Sequence, residues 1–186
     1  NTPVLRSDGT KVTGSTTFVA DQENCWITVM FTYNPVDCGL IGKTTIAFED
    51  LWYKNKKIAT HSSITDLPQS NTYPFVKTVL TNKKDGSKVL DDSYEAELVD
   101  AVSFGKIVEG EDYVVVDKIH YRSSGKPVMI NGKGIEAVKT FKAKSDNGTV
   151  NVEYPSFDLE EAGVIKDGNV DDIVAYAYLY LGSVDE

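Results

Sequence analysis

Hydrophobic and polar residues alternate along several short segments of this chain. The alternation is regular in residues 149–154 and partial in residues 26–33, where the apolar face begins at Ile27. A period of two residues is that of a β-strand with one buried face. Residues 112–121 are instead rich in β-branched and aromatic side chains, which is typical of a central strand. The pattern predicts a β-strand in each of these segments.

Turn signals separate the predicted strands. Each turn carries a Gly or an Asn, the residues that most easily adopt a positive φ. Only residues 158–163 suggest a helix, and they suggest at most a single turn of one. Many short strands at this spacing predict an all-β fold, an antiparallel β-sandwich. The predicted turns lie at residues 7–10, 84–87, 124–127, 131–132 and 146–148.

The chain repeats itself once. Phe31 and the alternate residues before it match Tyr154 and its neighbours at a constant offset of 123 residues. Residues 46–52 match residues 174–180 at an offset of 128. A period near 125 residues is too long for a solenoid repeat and is close to the size of a whole domain. The sequence therefore predicts tandem domains.

A polar segment with a proline, residues 69–74, marks the predicted domain junction. We expect residues 1–73 to be the C-terminal part of one domain and residues 74–186 to be a second domain without its last strand or strands. On this interpretation the chain is a fragment of a longer protein.

Composition and charge exclude several classes of function. The net charge of −9 disfavours nucleic acid as a partner, because a phosphate backbone attracts clustered Lys and Arg. No apolar run approaches the roughly 20 residues of a membrane helix, so no membrane partner is expected. Cys25 and Cys38 form no CxxC or Cys/His cluster, so we expect neither a metal site nor a cofactor. The two cysteines are either free thiols or a disulfide formed outside the cell, and the sequence leaves both open.

The candidate chemistry lies in residues 46–52 and 61–69. These segments carry Glu49, His61, Asp66 and Gln69. A glutamine amide is a poor electrophile and a threonine hydroxyl is a weak nucleophile. Joining them needs a base for the hydroxyl, an acid that polarises the carboxamide, and a proton for the departing ammonia. A His paired with a carboxylate can supply the first and last, and a buried protonated carboxyl group the second.

The pattern resembles the Thr–Gln ester-bond domains, also called VaFE repeats, which are Ig-like domains of Gram-positive bacterial surface adhesins. In that family a strand reads roughly V-A-F-E-x-L, and residues 47–51 fit it. A later segment reads H-x-D/S-I-x-D-x-x-Q, and His61, Ile64, Asp66 and Gln69 fit it with the spacing intact. The resemblance implies that His61 is the base, that Glu49 and Asp66 are supporting acids, and that Gln69 is the electrophile.

The resemblance continues into the second half of the chain. Residues 76–82 fit the family's I-x-T-x-x-T-D strand, which makes Thr78 the implied nucleophile of the second domain and Thr81 the alternative. Residues 98–104 fit V-x-D-x-V-x-Y, which adds Asp100 to the implied catalytic residues. Residues 110–113 and 125–128 fit two further family elements, so the match covers nearly the whole chain.

Two features depart from the family pattern. Ala177 stands where the first repeat has Glu49. The second domain is therefore unable to form the bond, carries a substitution, or takes its acid from elsewhere. In that family the ester joins the first and last strands of one domain, which lie side by side and parallel. Parallel neighbours need a crossover of a dozen or more residues, and eight residues separate Gln69 from Thr78. We therefore expect each of them to pair outside this fragment. Strand exchange between chains stays open.

The resemblance implies a stalk of a bacterial cell-surface adhesin or pilus-like protein, anchored to the cell wall by a sortase signal outside this fragment. Its partners would be neighbouring domains and a host ligand, and its chemistry a single self-directed turnover rather than enzyme activity. The alternative is an Ig-like module without a cross-link that binds a host protein or carbohydrate through residues 52–53 or 176–180, although alternating tyrosines usually fill a core. A hydrolase is disfavoured, because the only serines near His61 adjoin it in sequence.

Overall fold

A computed structural model of the chain describes residues 2–90 and 94–182. The chain divides into two compact units, Asn1–Pro74 and Phe75–Glu186. This division lies at the end of the polar segment 69–74. We describe the two units separately, as the first unit and the second unit.

The described residues form short strands, turns and one 3-10 helix. The first unit contains β1 (Thr44–Ile46), β2 (Glu49–Tyr53), β3 (Lys56–His61), the 3-10 helix (Leu67–Gln69) and β4 (Ser70–Thr72). The second unit contains β5 (Phe75–Lys77), β6 (Leu80–Asn82), β7 (Glu95–Ala96), β8 (Leu98–Gly105), β9 (Asp112–Tyr121), β10 (Met129–Ile130), β11 (Lys133–Gly134), β12 (Glu136–Lys142), β13 (Asn147–Glu153), β14 (Phe157–Asp158), β15 (Ile165–Lys166), β16 (Asn169–Val170) and β17 (Ile173–Leu181). The prediction of an all-β fold is confirmed.

Two larger antiparallel sheets form the centre of the second unit. In one sheet β9 lies between β12 and β17, so the strand predicted to be central is central. In the other sheet β8 lies between β13 and β5, and β6 continues the pairing of β5 along β8. The inner faces of these sheets bury a common apolar core, which is the arrangement of a β-sandwich.

The core of the second unit is dense in β-branched residues. Val102 on β8, Val152 on β13, and Val115 and Ile119 on β9 are each at most 1% exposed. These side chains belong to one contiguous cluster. Because antiparallel strands alternate inward and outward residues, the apolar positions of both sheets meet in a single layer.

Short pairs of strands surround the sandwich. β10 and β11 are joined at Asn131 and Gly132, whose φ values of 51° and 77° fit the type I′ turn that Asn-Gly favours. The segment predicted as a helical turn, 158–163, is a tight turn. There the Asp158 carboxylate accepts hydrogen bonds from the backbone N–H groups of Glu160 and Glu161 at 2.8 Å.

The first unit has far less regular structure. β2 and β3 form a hairpin, and β1 pairs with β4. Every residue of β2 and β3 is exposed. Among residues 2–74, Leu40 is the single buried apolar side chain. Local pairing rather than a core therefore defines the described structure of this unit.

The sequence prediction was wrong in two places in the first unit. Residues 26–33 do not form a strand, and Trp26 is completely exposed. They run close to the segment of Gly14, where an added Cβ would lie 2.2 Å from the Met30 carbonyl oxygen, but no ladder forms between them. Residues 46–52 are divided between β1 and β2. Alternation marks a potential face, whereas a strand also needs a partner for its backbone groups.

Three further expectations concern cysteines, metals and membranes. Cys25 and Cys38 are free thiols in the structure, the first exposed and the second partly buried, so the disulfide that the sequence left open is not formed there. Within residues 2–90 and 94–182, no group of three or more His, Cys, Asp or Glu side chains could hold a metal ion. The same residues include no helix with the length and apolar character needed to cross a membrane.

Candidate functional site

The two motif segments of the first unit come together in space. The backbone N–H of Ala47 donates to the carbonyl oxygen of Gln69 at 3.0 Å. Glu49 at the start of β2 lies directly opposite His61 at the end of β3. The hairpin and this hydrogen bond bring residues that are 20 positions apart in sequence into one group, which we call the His61 cluster: Glu49, His61, Asp66 and Gln69.

His61 contacts both carboxylates of the His61 cluster. Its Nε2 lies 2.8 Å from Asp66 Oδ2, which is hydrogen-bond distance, and its Nδ1 lies 3.8 Å from Glu49 Oε2. A carboxylate on one ring nitrogen fixes the orientation of the ring. Ser63 bonds Thr65 at 3.2 Å, so its hydroxyl is engaged away from a His–Ser relay.

The His61 cluster is open to solvent. The side chains of His61 and Glu49 are 48% and 50% exposed, and that of Asp66 is 20% exposed. Gln69 ends the 3-10 helix, which Pro68 helps to start, so the pleat between His61 and Gln69 is interrupted. The cluster thus has an imidazole with carboxylate partners, but it lacks a buried carboxyl group.

The second unit places Thr78 on its inner face. The pairing of β5 with β8 and that of β6 with β8 share one register, which sets Thr78 opposite Val102. Hydrogen bonds of 3.2 Å in both directions between Val79 and Ala101 hold the chain between β5 and β6 to β8. Directly opposite residues share a face, so Thr78 lies on the face of Val102 and Asp100. Thr81 lies opposite Val99, on the other face.

Two carboxyl groups, Asp100 on β8 and Asp117 on β9, face each other inside the second unit. We call them the acid pair. Both residues are 0% exposed, and the hydroxyl of Tyr154 is buried beside them. The Asp117 carboxyl group interacts with the Asp100 carboxyl group and with the Tyr154 hydroxyl. Buried polar groups normally pair with other polar groups, and these three side chains pair with one another.

Burial dominates the electrostatics of the acid pair. It raises the pKa of Asp117 to about 7, the neighbouring Asp100 carboxyl adds to this rise, and Tyr154 offsets part of it. Burial also raises the pKa of the Tyr154 hydroxyl above its usual range. Two adjacent buried carboxyl groups cannot both ionise at low cost, so the acid pair retains a proton near neutral pH.

Sequence reasoning selected Asp100 but missed Asp117 and Tyr154. The available signal was a lone Asp within the apolar strand β9, directly after Val114, Val115 and Val116. A charged residue at an inward position of a central strand indicates a special role. The acid pair could be recognised only once the structure placed Asp100 of the other sheet next to Asp117.

The tyrosines of β17 contradict one expectation. Tyr176, Tyr178 and Tyr180 were expected to fill the core, but they are 44%, 46% and 43% exposed. The residues between them, Ala177 and Leu179, are the ones turned inward. Periodicity identified two faces of this strand and could not tell which face is buried.

The first unit thus carries a His–carboxylate pair, and the second unit carries a threonine on the same sheet face as a buried aspartate. The sequence model of the family described as T-Q ester bond containing domain matches residues 1–72 and 74–178. The chain belongs to this family, and the resemblance found from the motifs is confirmed.

Among solved structures, the chain is similar to a bacterial adhesin from Mobiluncus mulieris containing intramolecular disulfide, isopeptide and ester bond cross-links, in crystals of space groups P21 and P1. The identity is 16% and the TM-score 0.44 in both crystals. The matches cover 61% and 58% of this chain and 47% and 44% of the adhesin chain, so this chain spans less than half of that protein's length. No curated protein matches the chain.

Proposed function

We propose that the chain is part of the stalk of a bacterial surface adhesin or pilus-like protein whose Ig-like domains each close an ester bond between a threonine and a glutamine side chain. The His61 cluster is the observation that carries this proposal. His61 contacts two carboxylates, and the Ala47–Gln69 backbone hydrogen bond holds Gln69 to the segment just before the hairpin. Family membership supports the same chemistry.

The proposed reaction forms one bond and breaks one. A threonine Oγ attacks the side-chain carbonyl carbon of Gln69, the C–O bond forms, the C–N bond breaks, and ammonia leaves. His61 takes the hydroxyl proton and delivers it to the departing nitrogen, while Asp66 stabilises the imidazolium. Glu49 is placed to assist from the other side of the ring. Holding both reactants in one folded domain supplies a large effective concentration.

In the second unit we assign Thr78 as the nucleophile and Asp100 as a supporting acid. Thr78 shares the inner face with Asp100, one diagonal step along the ladder. Thr81 is disfavoured, because it lies on the opposite face and its hydroxyl is directed to the Val99 carbonyl oxygen at 3.4 Å.

Such a bond suits a protein that is subject to mechanical force. A covalent link between strands distant in sequence restricts the unfolded chain as a disulfide does, and reducing agents do not break it. We propose an extracellular location on the bacterial surface, with cell-wall anchoring by a sortase and with neighbouring domains and a host ligand as partners.

The test is peptide mapping of the natural, full-length protein by mass spectrometry. We expect Gln69 and Thr78 each to lie in a cross-linked peptide pair that has lost one ammonia and that mild base separates with uptake of one water. A Lys–Asn isopeptide would resist base. Thr78→Val should abolish the second cross-link, and Thr81→Val, on the same ladder, is the matched control and should not. Unmodified Gln69 and Thr78 in the natural protein would refute the proposal.

One observation favours a second candidate function, a module that binds a host protein or carbohydrate. Tyr176, Tyr178 and Tyr180 form an exposed aromatic row on β17, and amphipathic tyrosines are common in binding surfaces. The test is a binding screen against glycans and host matrix proteins. Binding that the wild type shows and a variant with serine at all three positions loses would support this function, and no binding by the wild type would refute it.

A further inference from the structure

The second unit lacks the carboxylate that the first unit has on the equivalent strand. At the repeat offset of 128 residues, Ala177 on β17 occupies the place of Glu49 on β2. In the first unit, Glu49 reaches the imidazole of His61. An alanine methyl group has no acid function, so chemistry that needs a carboxyl group at this position must obtain it from another residue.

The neighbouring strand β9 supplies a carboxyl group at the same position along the ladder. Asp117 on β9 lies directly opposite Ala177 in the ladder, and Ala137 on β12 lies opposite it on the other side. Directly opposite residues in an antiparallel pair share a face, with Cβ atoms about 5 Å apart. Because both ladder neighbours of Asp117 are alanines, their small side chains leave room beside its carboxyl group on the shared face of the sheet. The carboxyl group therefore lies about one strand spacing from where a side chain at position 177 would project.

The surroundings of Asp117 suit an acid that works in its protonated form. Its carboxyl group is fully buried and faces Asp100, the acid that the motif itself identifies. The Tyr154 hydroxyl is buried beside the two carboxyl groups, so the three side chains form one buried polar cluster next to the ladder position of Ala177.

We propose that Asp117 replaces the acid missing at Ala177 and, together with Asp100, donates a hydrogen bond to the carbonyl oxygen of the glutamine that Thr78 attacks. The acid has moved from β17 to the adjacent strand β9. This inference rests on the proposed function and names a catalytic residue for it. As the C–O bond forms and ammonia leaves, the shared proton of the acid pair stabilises the developing oxyanion and stays with the pair afterwards.

The acid can be moved back to test the proposal. The natural, full-length protein would be made in a cell-free system, and the fraction cross-linked at Thr78 would be followed over time by mass spectrometry. We expect Asp117→Ala to slow ester formation by about a hundredfold or more. The double variant Asp117→Ala/Ala177→Glu should recover it, because it restores a carboxyl group at the position of Glu49.

Two further variants separate catalysis from folding. Asp117→Asn keeps the size of the side chain and removes the acid, so it should fold and also slow the reaction. Asp112→Asn changes an exposed carboxylate on the same strand, next to Lys142, and should leave the rate unchanged.

The outcomes distinguish the two proposals. Wild-type ester formation with an undiminished rate in Asp117→Ala and Asp117→Asn would overturn the role of Asp117 and leave the proposed function intact. Loss of the reaction in Asp117→Ala without recovery in a folded double variant would overturn the relocation. Absence of an ester at Thr78 in the wild type would overturn the proposed function itself, and this inference with it.

Discussion

The two units of this chain place similar chemical groups in opposite environments. In the first unit an imidazole and two carboxylates meet at a hairpin that is open to water, and Leu40 is the only buried apolar side chain among residues 2–74. In the second unit two carboxyl groups are enclosed by a sandwich whose core residues are almost completely buried. The first environment suits a base that exchanges protons, and the second suits an acid that keeps one.

This difference explains why similar residue types behave differently. Water screens the carboxylates beside His61, so their contacts contribute little to stability. The acid pair lies where a charge is costly, so one carboxyl group remains protonated near neutral pH. Burial, rather than the identity of the side chain, decides which role each carboxyl group can take.

The contrast between the two units predicts that the largest change in stability follows a substitution in the core of the second unit. Ile119→Ala should lower the free energy of unfolding of the second unit by about 2–5 kcal/mol, because it leaves a cavity in a fully buried cluster. Met30→Ala in the first unit removes a similar volume from a side chain that is 79% exposed and should change stability by no more than about 0.5 kcal/mol.

Both changes can be followed in one urea titration. The two tryptophans, Trp26 and Trp52, belong to the first unit, so their fluorescence reports on that unit, while hydrogen exchange of β9 reports on the second. Equal effects of the two substitutions would contradict the contrast between the units.

The acid pair should make the second unit less stable as the pH rises. The pKa of Asp117 is 3.8 in the unfolded chain and about 7 in the folded one, so folding takes up a proton between these values. The stabilisation is complete below about pH 4 and is lost as the pH rises through 7. Its size is about 2–4 kcal/mol.

Thermal unfolding at pH 5.5 and pH 8 checks this prediction. The midpoint of the second unit should fall by roughly 10 °C between them, and Asp117→Asn should remove most of that change. The histidines are the same in both proteins, so the comparison cancels their contribution. An equal pH dependence in wild type and variant would mean that the acid pair holds no extra proton.

A pair of glycines compares the rigidity of the two units. An added Cβ at Gly105 on β8 would lie 2.5 Å from the Phe75 ring, and one at Gly14 would lie 2.2 Å from the Met30 carbonyl oxygen. Gly105→Ala should cost about 1–3 kcal/mol, because the Phe75 ring that covers Gly105 must be displaced.

Gly14→Ala should cost less than Gly105→Ala, although its contact is shorter. No strand ladder holds residues 26–33 in place, so this segment can move away from the new side chain. Chemical denaturation of both variants measures the difference. A larger loss for Gly14→Ala would mean that this part of the first unit is as rigid as the sandwich.

A small effect on stability is also expected at the His61 cluster. Asp66→Asn removes the carboxylate 2.8 Å from His61, yet it should cost less than about 1 kcal/mol, because the imidazole is half exposed. The same change should strongly slow ester formation at Gln69 if His61 acts as the base. A large loss of stability with unchanged ester formation would reverse these roles.

The sequence alone was sufficient for several local features of the second unit. The residues predicted as a central strand, 112–121, coincide with β9, and the predicted Asn-Gly turn joins β10 to β11. These features depend on local preferences, which adjacent residues determine. The motifs were also sufficient for the family, since the spacing of His61, Asp66 and Gln69 is a property of the sequence itself.

Tertiary structure decided which faces are buried and which carboxyl groups meet. The predicted strand at 26–33 lacks a ladder partner, and the tyrosines of β17 point outward although their alternation suited either face. Asp117 is 17 residues from Asp100 in sequence and 60 from Ala177, and only the pairing of β9 and the packing of the two sheets bring it to both. A local sequence pattern determines the period of a strand, but its neighbours in space determine the environment of each side chain.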